Sequence, residues 1–141
     1  MFDLYGTDRL TAWREFRDSL ENSSQPLVDV AEFWSRAPFV SPYLNPQIPA
    51  DWPDPWHLIL DGKLDELAIC LGIMYTLKLT QRFMASKYEI HMSILPQNKD
   101  PFYYLVVDGQ YVLNYEPRAV HDVGVLQEFQ TNMLWSCDQL P

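Results

Sequence analysis

The stretch that decides the fold lies in mid-chain and opens a long apolar helix: Gly62-Lys63-Leu64-Asp65-Glu66-Leu67-Ala68-Ile69. Acidic side chains in a first helical turn are stabilised by the positive end of the helix dipole, so Asp65 and Glu66 mark the start of this helix. Apolar side chains then follow on nearly every side, and a helix that is apolar all round is buried in the middle of a domain. We therefore predict a central buried helix over residues 64–84.

Strand-forming segments after this helix predict a small antiparallel sheet. From Tyr88 to Ile94, apolar and polar residues alternate, which is typical of a half-buried strand. Two further β-rich segments flank Asp108-Gly109, a dipeptide that strongly favours a tight hairpin. The sequence therefore predicts a hairpin over residues 102–115, in a sheet that packs on the central helix.

Helical spacing predicts further helices on both sides of this centre. Leu10, Trp13 and Phe16 indicate a helix over residues 8–21, capped by Thr7 or Asp8. A second helix begins at Pro26, since proline is favoured in a first turn, and ends before Pro38. A short helical turn is expected over residues 54–60, and a last helix over residues 122–135.

Three to four helices and a small antiparallel sheet make an α+β domain. The length of 141 residues fits a single domain. We divide it into a helical N-terminal part (residues 1–37), a proline- and aromatic-rich arm (residues 38–56) and a core of helix and sheet (residues 57–141).

The arm holds six of the eleven prolines, interleaved with large rings. Proline makes such a segment semi-rigid, and aromatic rings on an ordered segment suit an interface anchor. A purely structural wrap over the core is the alternative. We expect the interaction surface to use aromatic residues of the arm and the hairpin, namely Phe39, Tyr43, Trp52, Trp56, Phe102 and Tyr104.

The segment at Gly62–Ile69, followed by a hairpin that ends Tyr111-Val112-Leu113-Asn114, resembles the core of transglutaminase-like cysteine enzymes, which have a papain-type fold. In that family a Gly-x-Cys segment starts the helix, one strand supplies a His and the next strand an Asp. The resemblance covers residues 52–115. It implies that Gly62 turns the chain into the helix and that Glu66 stands near an acidic position of the family.

The departures from the family pattern fall at the reacting atoms. The three catalytic positions correspond to Leu64, Phe102 and Asn114, none of which can supply a thiolate or an imidazole. The resemblance therefore implies the shape of the family without its activity. In its overall character, and not in any single motif, the sequence also resembles small uncharacterised proteins of tailed phages. We therefore expect a non-catalytic structural, assembly or interaction role. The expected location is the cytoplasm or, for a phage component, the virion.

Charge and composition exclude several partners and cofactors. The formal net charge is −9 and no cluster of Lys and Arg exists, so neither nucleic acid nor an anionic membrane is an expected partner. No phosphate-binding glycine loop and no His or Cys at metal-ligand spacing occurs. We therefore expect no cofactor, no metal and no catalytic residue, and we expect protein partners, with self-association among the options.

Two alternatives stay open at this point. The first is a cysteine-dependent enzyme in which Cys70 works with His91 or His57, although Cys70 lies far from the helix start, where the dipole lowers a thiol pKa. The second is a small-molecule binding domain with an apolar pocket between Leu64, Phe102 and Asn114.

Overall fold

The computed structural model describes residues 1–38, 40–94, 101–128 and 133–136. Within these ranges the chain forms four α-helices and a five-stranded antiparallel sheet, which confirms the α+β class. The helices are α1 (Gly6–Leu20), α2 (Pro26–Trp34), α3 (Pro55–Asp61) and α4 (Glu66–Lys78), and the strands are β1 (Tyr88–Ile94), β2 (Pro101–Val107), β3 (Tyr111–Leu113), β4 (Val120–Asp122) and β5 (Met133–Ser136). Short 3-10 segments cover Pro49–Asp51 and Val123–Glu128.

The predicted hairpin is confirmed as β2 and β3. The sheet order is β4-β3-β2-β1-β5, so the hairpin lies in its centre. Asp108 and Gly109 have φ values of 54° and 64°, the left-handed conformation that a two-residue hairpin turn needs at both positions. β1 pairs along its length with β2, and Ile90 and Met92 point to the face that packs on the helices.

Helix α4 is the predicted central helix and is shorter than expected. Ten of its thirteen residues are buried. It ends at Lys78 instead of Met84, because the Thr80 backbone N–H and hydroxyl both donate to the Leu77 carbonyl and close the last turn.

The predicted cap of α1 is also wrong, since Tyr5 occupies the N-cap position and no side chain caps the helix.

The last helix, predicted over residues 122–135, is not formed as one α-helix: a 3-10 segment covers Val123–Glu128, and the described residues on either side of it are strands. Val120–Asp122 pairs with β3, and Met133–Ser136 pairs with β1, so these segments extend the sheet on both sides. Trp135 is buried there, edge-on to Trp52 at 5.3 Å between ring centroids. A short apolar segment suits either a helix or a strand, and here the pairing with sheet edges decides between them.

A hydroxyl at the centre of the core joins three helices. Thr76 on α4 accepts hydrogen bonds from the indole N–H groups of Trp13 (α1) and Trp34 (α2), each at 3.0 Å. All three side chains are almost completely buried. Close packing supports this arrangement, because a Cβ on Gly72 would lie 2.2 Å from the Trp34 ring.

Candidate functional site

The residue that the sequence resemblance aligns with the family nucleophile is buried. Leu64 lies just before α4, is 2% exposed and belongs to the main apolar core. Gly62 ends α3 in the left-handed conformation (φ 66°), and an added Cβ there would collide with Arg9. The cavity beside Leu64 has a volume of about 10 Å³, and the N-terminal residues Met1 and Phe2 line it. A cavity of that size holds at most one water molecule, so no substrate reaches Leu64.

The arm is tied to the start of α4 by Asp65. Its carboxylate caps the helix by accepting the Ala68 N–H at 2.8 Å. The other oxygen accepts the backbone N–H groups of Tyr43 and Leu44, at 2.9 and 3.0 Å. The arm therefore crosses the helix N-terminus, and Val40 adds a backbone hydrogen bond to the Leu64 carbonyl. Donor N–H groups surround this carboxylate, which makes it a poor ligand for a cation.

Strand alternation corrects the predicted grouping of Leu64, Phe102 and Asn114. Tyr103 is the β2 residue that faces α4, and its backbone N–H donates to the Glu66 carboxylate at 3.2 Å. Phe102 lies on the opposite face of the sheet, in a second apolar cluster with Tyr104. Successive side chains of a strand point to opposite faces, so Phe102 cannot stand beside Leu64 on the helix-facing side.

The groups that do meet at the junction of α4, β2 and β3 are Glu66, Cys70, Tyr103 and Asn114. The Asn114 amide donates to the Tyr103 carbonyl at 3.0 Å and to the Cys70 Sγ at 3.4 Å. Asn114 follows β3 with φ 65°, a left-handed conformation that asparagine tolerates better than most residues. Glu66 and Cys70 are four residues apart on α4 and therefore share a face. We call this set the junction cluster.

The junction cluster suppresses ionisation. Burial raises the pKa of the Cys70 thiol, and the charge of Glu66 raises it further, against the smaller effect of the Asn114 hydrogen bond. Burial also raises the pKa of Glu66, although the Tyr103 N–H opposes this shift, and burial raises the pKa of the Tyr103 phenol. A catalytic cysteine needs a lowered thiol pKa, so this environment has the opposite effect.

Neither histidine proposed as a partner for Cys70 lies beside it. His91 stacks on Tyr104, with ring centroids 5.3 Å apart, on the sheet face that points away from α4. His57 lies on the surface of α3, where its Nδ1 is 2.8 Å from the Asp54 carboxylate. The sheet thus separates Cys70 from His91, and a thiol–imidazole pair is not formed between Cys70 and either ring.

A cleft opens next to the junction cluster. Its volume is about 290 Å³, and Glu66 and Asn114 line it together with Trp34 and Arg118. This cleft differs from the predicted pocket, because Asn114 borders it whereas Leu64 and Phe102 do not. Sequence reasoning missed Tyr103 and gave Glu66 no part in a pocket. The alternation of side-chain directions along β2 is the signal that points to Tyr103. The i, i+4 spacing of Glu66 and Cys70 on one helix face is the signal that points to Glu66.

The aromatic interaction candidates divide into surface and core residues. Tyr43 and Trp56 are 46% and 47% exposed. Trp52 and Tyr104 are buried, which corrects the prediction that they lie on an interaction surface. The Trp52 indole N–H also donates to the Asn45 carbonyl. Phe102 is partly buried, and Phe39 lies outside the described residues. The surface part of the prediction therefore reduces to Tyr43 and Trp56.

Neither a metal-binding group nor a membrane-spanning helix occurs within the described residues. The described residues contain no group of three His, Cys, Asp or Glu side chains that could hold a metal ion. None of the helices there combines the length and the apolar character that a membrane span requires.

The fold is similar to that of calcium-bound LapG from Legionella pneumophila. The TM-score is 0.68 at 18% sequence identity, and the match covers 95% of this chain and 81% of that chain. No family model and no curated protein sequence matches the chain. At this identity the likeness concerns the fold, and it confirms the transglutaminase-like architecture predicted from the helix start and the hairpin.

Proposed function

We propose that this transglutaminase-like domain is non-catalytic and acts by binding a protein partner. The observation that carries the proposal is the buried Leu64 at the position where the family places its nucleophile. The nearby thiol of Cys70 is buried beside Glu66, and the His57 and His91 rings lie elsewhere. A structural or assembly role in a phage stays a prediction from the sequence texture.

Trp56 is the exposed aromatic residue best suited to contact a partner. Its ring packs edge-on against the buried Trp13, with centroids 5.8 Å apart, and about half of the side chain faces solvent. A rigid indole loses little side-chain entropy on binding, which favours it as an anchor. Tyr43 is less suited, because its hydroxyl already donates to the Lys63 carbonyl.

Affinity capture from the native source tests the binding role. Wild-type protein should retain a defined partner, and Trp56→Ala should lose most of it while its thermal unfolding stays cooperative. Tyr5→Ala is the matched control, because Tyr5 is 84% exposed and lies at the N-cap of α1. Capture that is equal for the wild type and both variants would argue against Trp56 as the anchor.

Peptide turnover tests the non-catalytic part separately. A peptide library incubated with the protein, with and without calcium, should show neither cleavage nor amide exchange. The transglutaminase-like fold also carries cysteine enzymes, so Cys70→Ala is the informative comparison. Turnover by the wild type that this variant abolishes would replace the proposal by the cysteine-enzyme alternative.

The cleft beside Glu66 and Asn114 supports small-molecule binding as a second candidate. Its volume of about 290 Å³ lies near the lower limit for ligand sites. It combines apolar walls from α2 and α4 with the carboxyl groups of Glu66 and Glu116, the Asn114 amide and the Arg118 guanidinium. A thermal-shift screen of uncharged metabolites tests this, with Glu66→Gln to show whether a hit occupies the cleft. A screen without hits would count against it.

A further inference from the structure

A hollow on the outer side of α1 and α3 concentrates positive charge in an acidic protein. Its volume is about 370 Å³, and it is lined by Leu10, Thr11, Arg14, Arg17 and Trp56. We call these five residues the arginine hollow. The chain as a whole has a formal net charge of −9. Two arginines one helical turn apart therefore stand next to a half-exposed indole, with the acidic Asp18 on the same helix.

Arg17 lies between two tryptophans, and within the described residues no ion pair to it is formed. Its guanidinium carbon is 4.4 Å from the Trp13 ring centroid and 5.9 Å from that of Trp56. Its Nε is buried and has no hydrogen-bond partner in the part of the chain that the structure describes. Burial lowers the pKa of Arg17 and outweighs the opposing charge of Asp18, while Arg14 lowers it further. A desolvated, unpaired cation gains from an anion brought to it.

Three other arginines of the chain are already satisfied by the fold. Arg9 donates to the Leu4 and Ile59 carbonyls, Arg82 to the Leu20 and Ser23 carbonyls. Arg36 pairs with Glu32 at 3.2 Å. By contrast, no ion pair to Arg14 or Arg17 is formed within the described ranges, although Asp18 is adjacent in sequence. The arginine hollow thus holds two arginines that form no ion pair there, while Arg118 lies on the separate cleft beside Glu66 and Asn114.

We propose that the arginine hollow binds a carboxylate side chain from an acidic segment of the protein partner. Guanidinium groups bind carboxylates through paired, charge-assisted hydrogen bonds, and Trp56 adds a flat apolar surface for the neighbouring part of the segment. Arg and Trp are also the residue types enriched at the energetic centres of interfaces. A nucleic acid is disfavoured, because its binding draws on many phosphate contacts along a basic surface, and the hollow offers two arginines. The inference rests on the proposed binding function and specifies the chemistry of the partner.

Titration of the ¹⁵N-labelled protein with an acetylated hexaglutamate peptide at low salt tests the inference. The Trp56 indole and Arg17 Nε–H signals should shift in a saturable way, and added salt should weaken the binding. Arg14→Gln and Arg17→Gln should each weaken it about tenfold, the effect of losing one charge-assisted hydrogen bond. Arg36→Gln is the matched control and should leave the affinity unchanged. Arg14 is exposed, so its variant tests binding even where Arg17→Gln affects folding.

Three outcomes would overturn the inference. They are the absence of a shift at Trp56, an equal loss of affinity in Arg36→Gln, and tighter binding of oligo-dT or inorganic phosphate than of hexaglutamate. Affinity capture of the partner distinguishes failure of the arginine-hollow inference from failure of the proposed binding function. If the wild type still captures a partner and Arg14→Gln captures it equally well, only the arginine hollow is excluded. If the wild type captures none, the binding role itself fails.

Discussion

The side-chain amide of Asn114 donates a hydrogen bond to the Sγ of Cys70 across 3.4 Å. In the sequence resemblance Asn114 corresponds to the carboxylate position of the family, and in the structure its amide contacts a thiol. An amide N–H that donates to a sulfur cannot remove its proton, and its lowering effect on the thiol pKa is outweighed by burial and by Glu66. The polar groups of the junction cluster therefore hold α4, β2 and β3 together.

Thr76→Val should strongly destabilise the fold. The variant leaves the indole N–H groups of Trp13 and Trp34 buried without their acceptor. We expect the free energy of unfolding to fall by about 2–4 kcal/mol, since each buried unsatisfied donor costs about 1–3 kcal/mol. Unfolding in guanidinium chloride measures this loss of free energy. Thr11→Val, at an exposed position on α1, is the control and should change stability by less than about 0.5 kcal/mol. Equal losses in the two variants would contradict the role of Thr76.

Gly72→Ala should be destabilising for a different reason. The new Cβ would lie 2.2 Å from the Trp34 ring, so α2 and α4 must separate or the indole must move. Overpacking of this kind costs about 1–3 kcal/mol. Gly124→Ala is the matched control, because its Cβ would meet the Asp122 side chain at 3.6 Å, an ordinary contact. The prediction is wrong if both variants unfold at the same denaturant concentration.

Asp65→Ala should release the arm from α4. The variant removes the acceptor of the Tyr43, Leu44 and Ala68 N–H groups. Amide hydrogen exchange at Tyr43 and Leu44 should accelerate, while exchange in the β2–β3 hairpin stays slow. Asp54→Ala removes the cap of α3 and serves as the control. Unchanged protection of the two arm amides in Asp65→Ala would show that the arm is held by other contacts.

Glu66 should make stability depend on pH. Its pKa in the folded protein is raised above the usual 4.5, mainly by burial. The folded state therefore holds this proton more tightly than the unfolded state, and the stability contributed by the neutral form is lost as pH rises from the unfolded-state pKa through the raised folded-state pKa. Denaturation against pH should show a smaller decline in Glu66→Gln than in the wild type. Parallel curves would contradict a raised pKa.

Sequence patterns could predict the part of the fold that depends on local spacing. The start of α4 at Asp65 and Glu66 and the turn at Asp108-Gly109 follow from capping and turn chemistry, so both were predictable. The strand that contains Trp135 was not predictable, because the apolar spacing of this segment also fits a helix. Its pairing with β1 depends on residues more than forty positions away.

The site was harder to predict than the fold. Leu64 and Asn114 could be located from the family pattern, but a motif alone does not specify which face of β2 meets α4. The face is set by the register Met92↔Tyr103, which places Tyr103 over the helices and Phe102 behind the sheet. Pairing of the arm with Asp65 is a contact between residues about twenty positions apart and has no local signal in the sequence.

The reactivity of Cys70 towards iodoacetamide tests the non-catalytic assignment most directly. The protein has two cysteines, so Cys137→Ser leaves Cys70 as the single thiol. Alkylation of the native protein between about pH 6 and pH 9 should be at least about a thousandfold slower than in concentrated guanidinium, since a buried thiol reacts when the protein opens and opening is limited by a stability of 5 kcal/mol or more. Rapid alkylation of the folded protein near neutral pH, with a rate that follows a single low pKa, would contradict the account and identify Cys70 as an activated nucleophile.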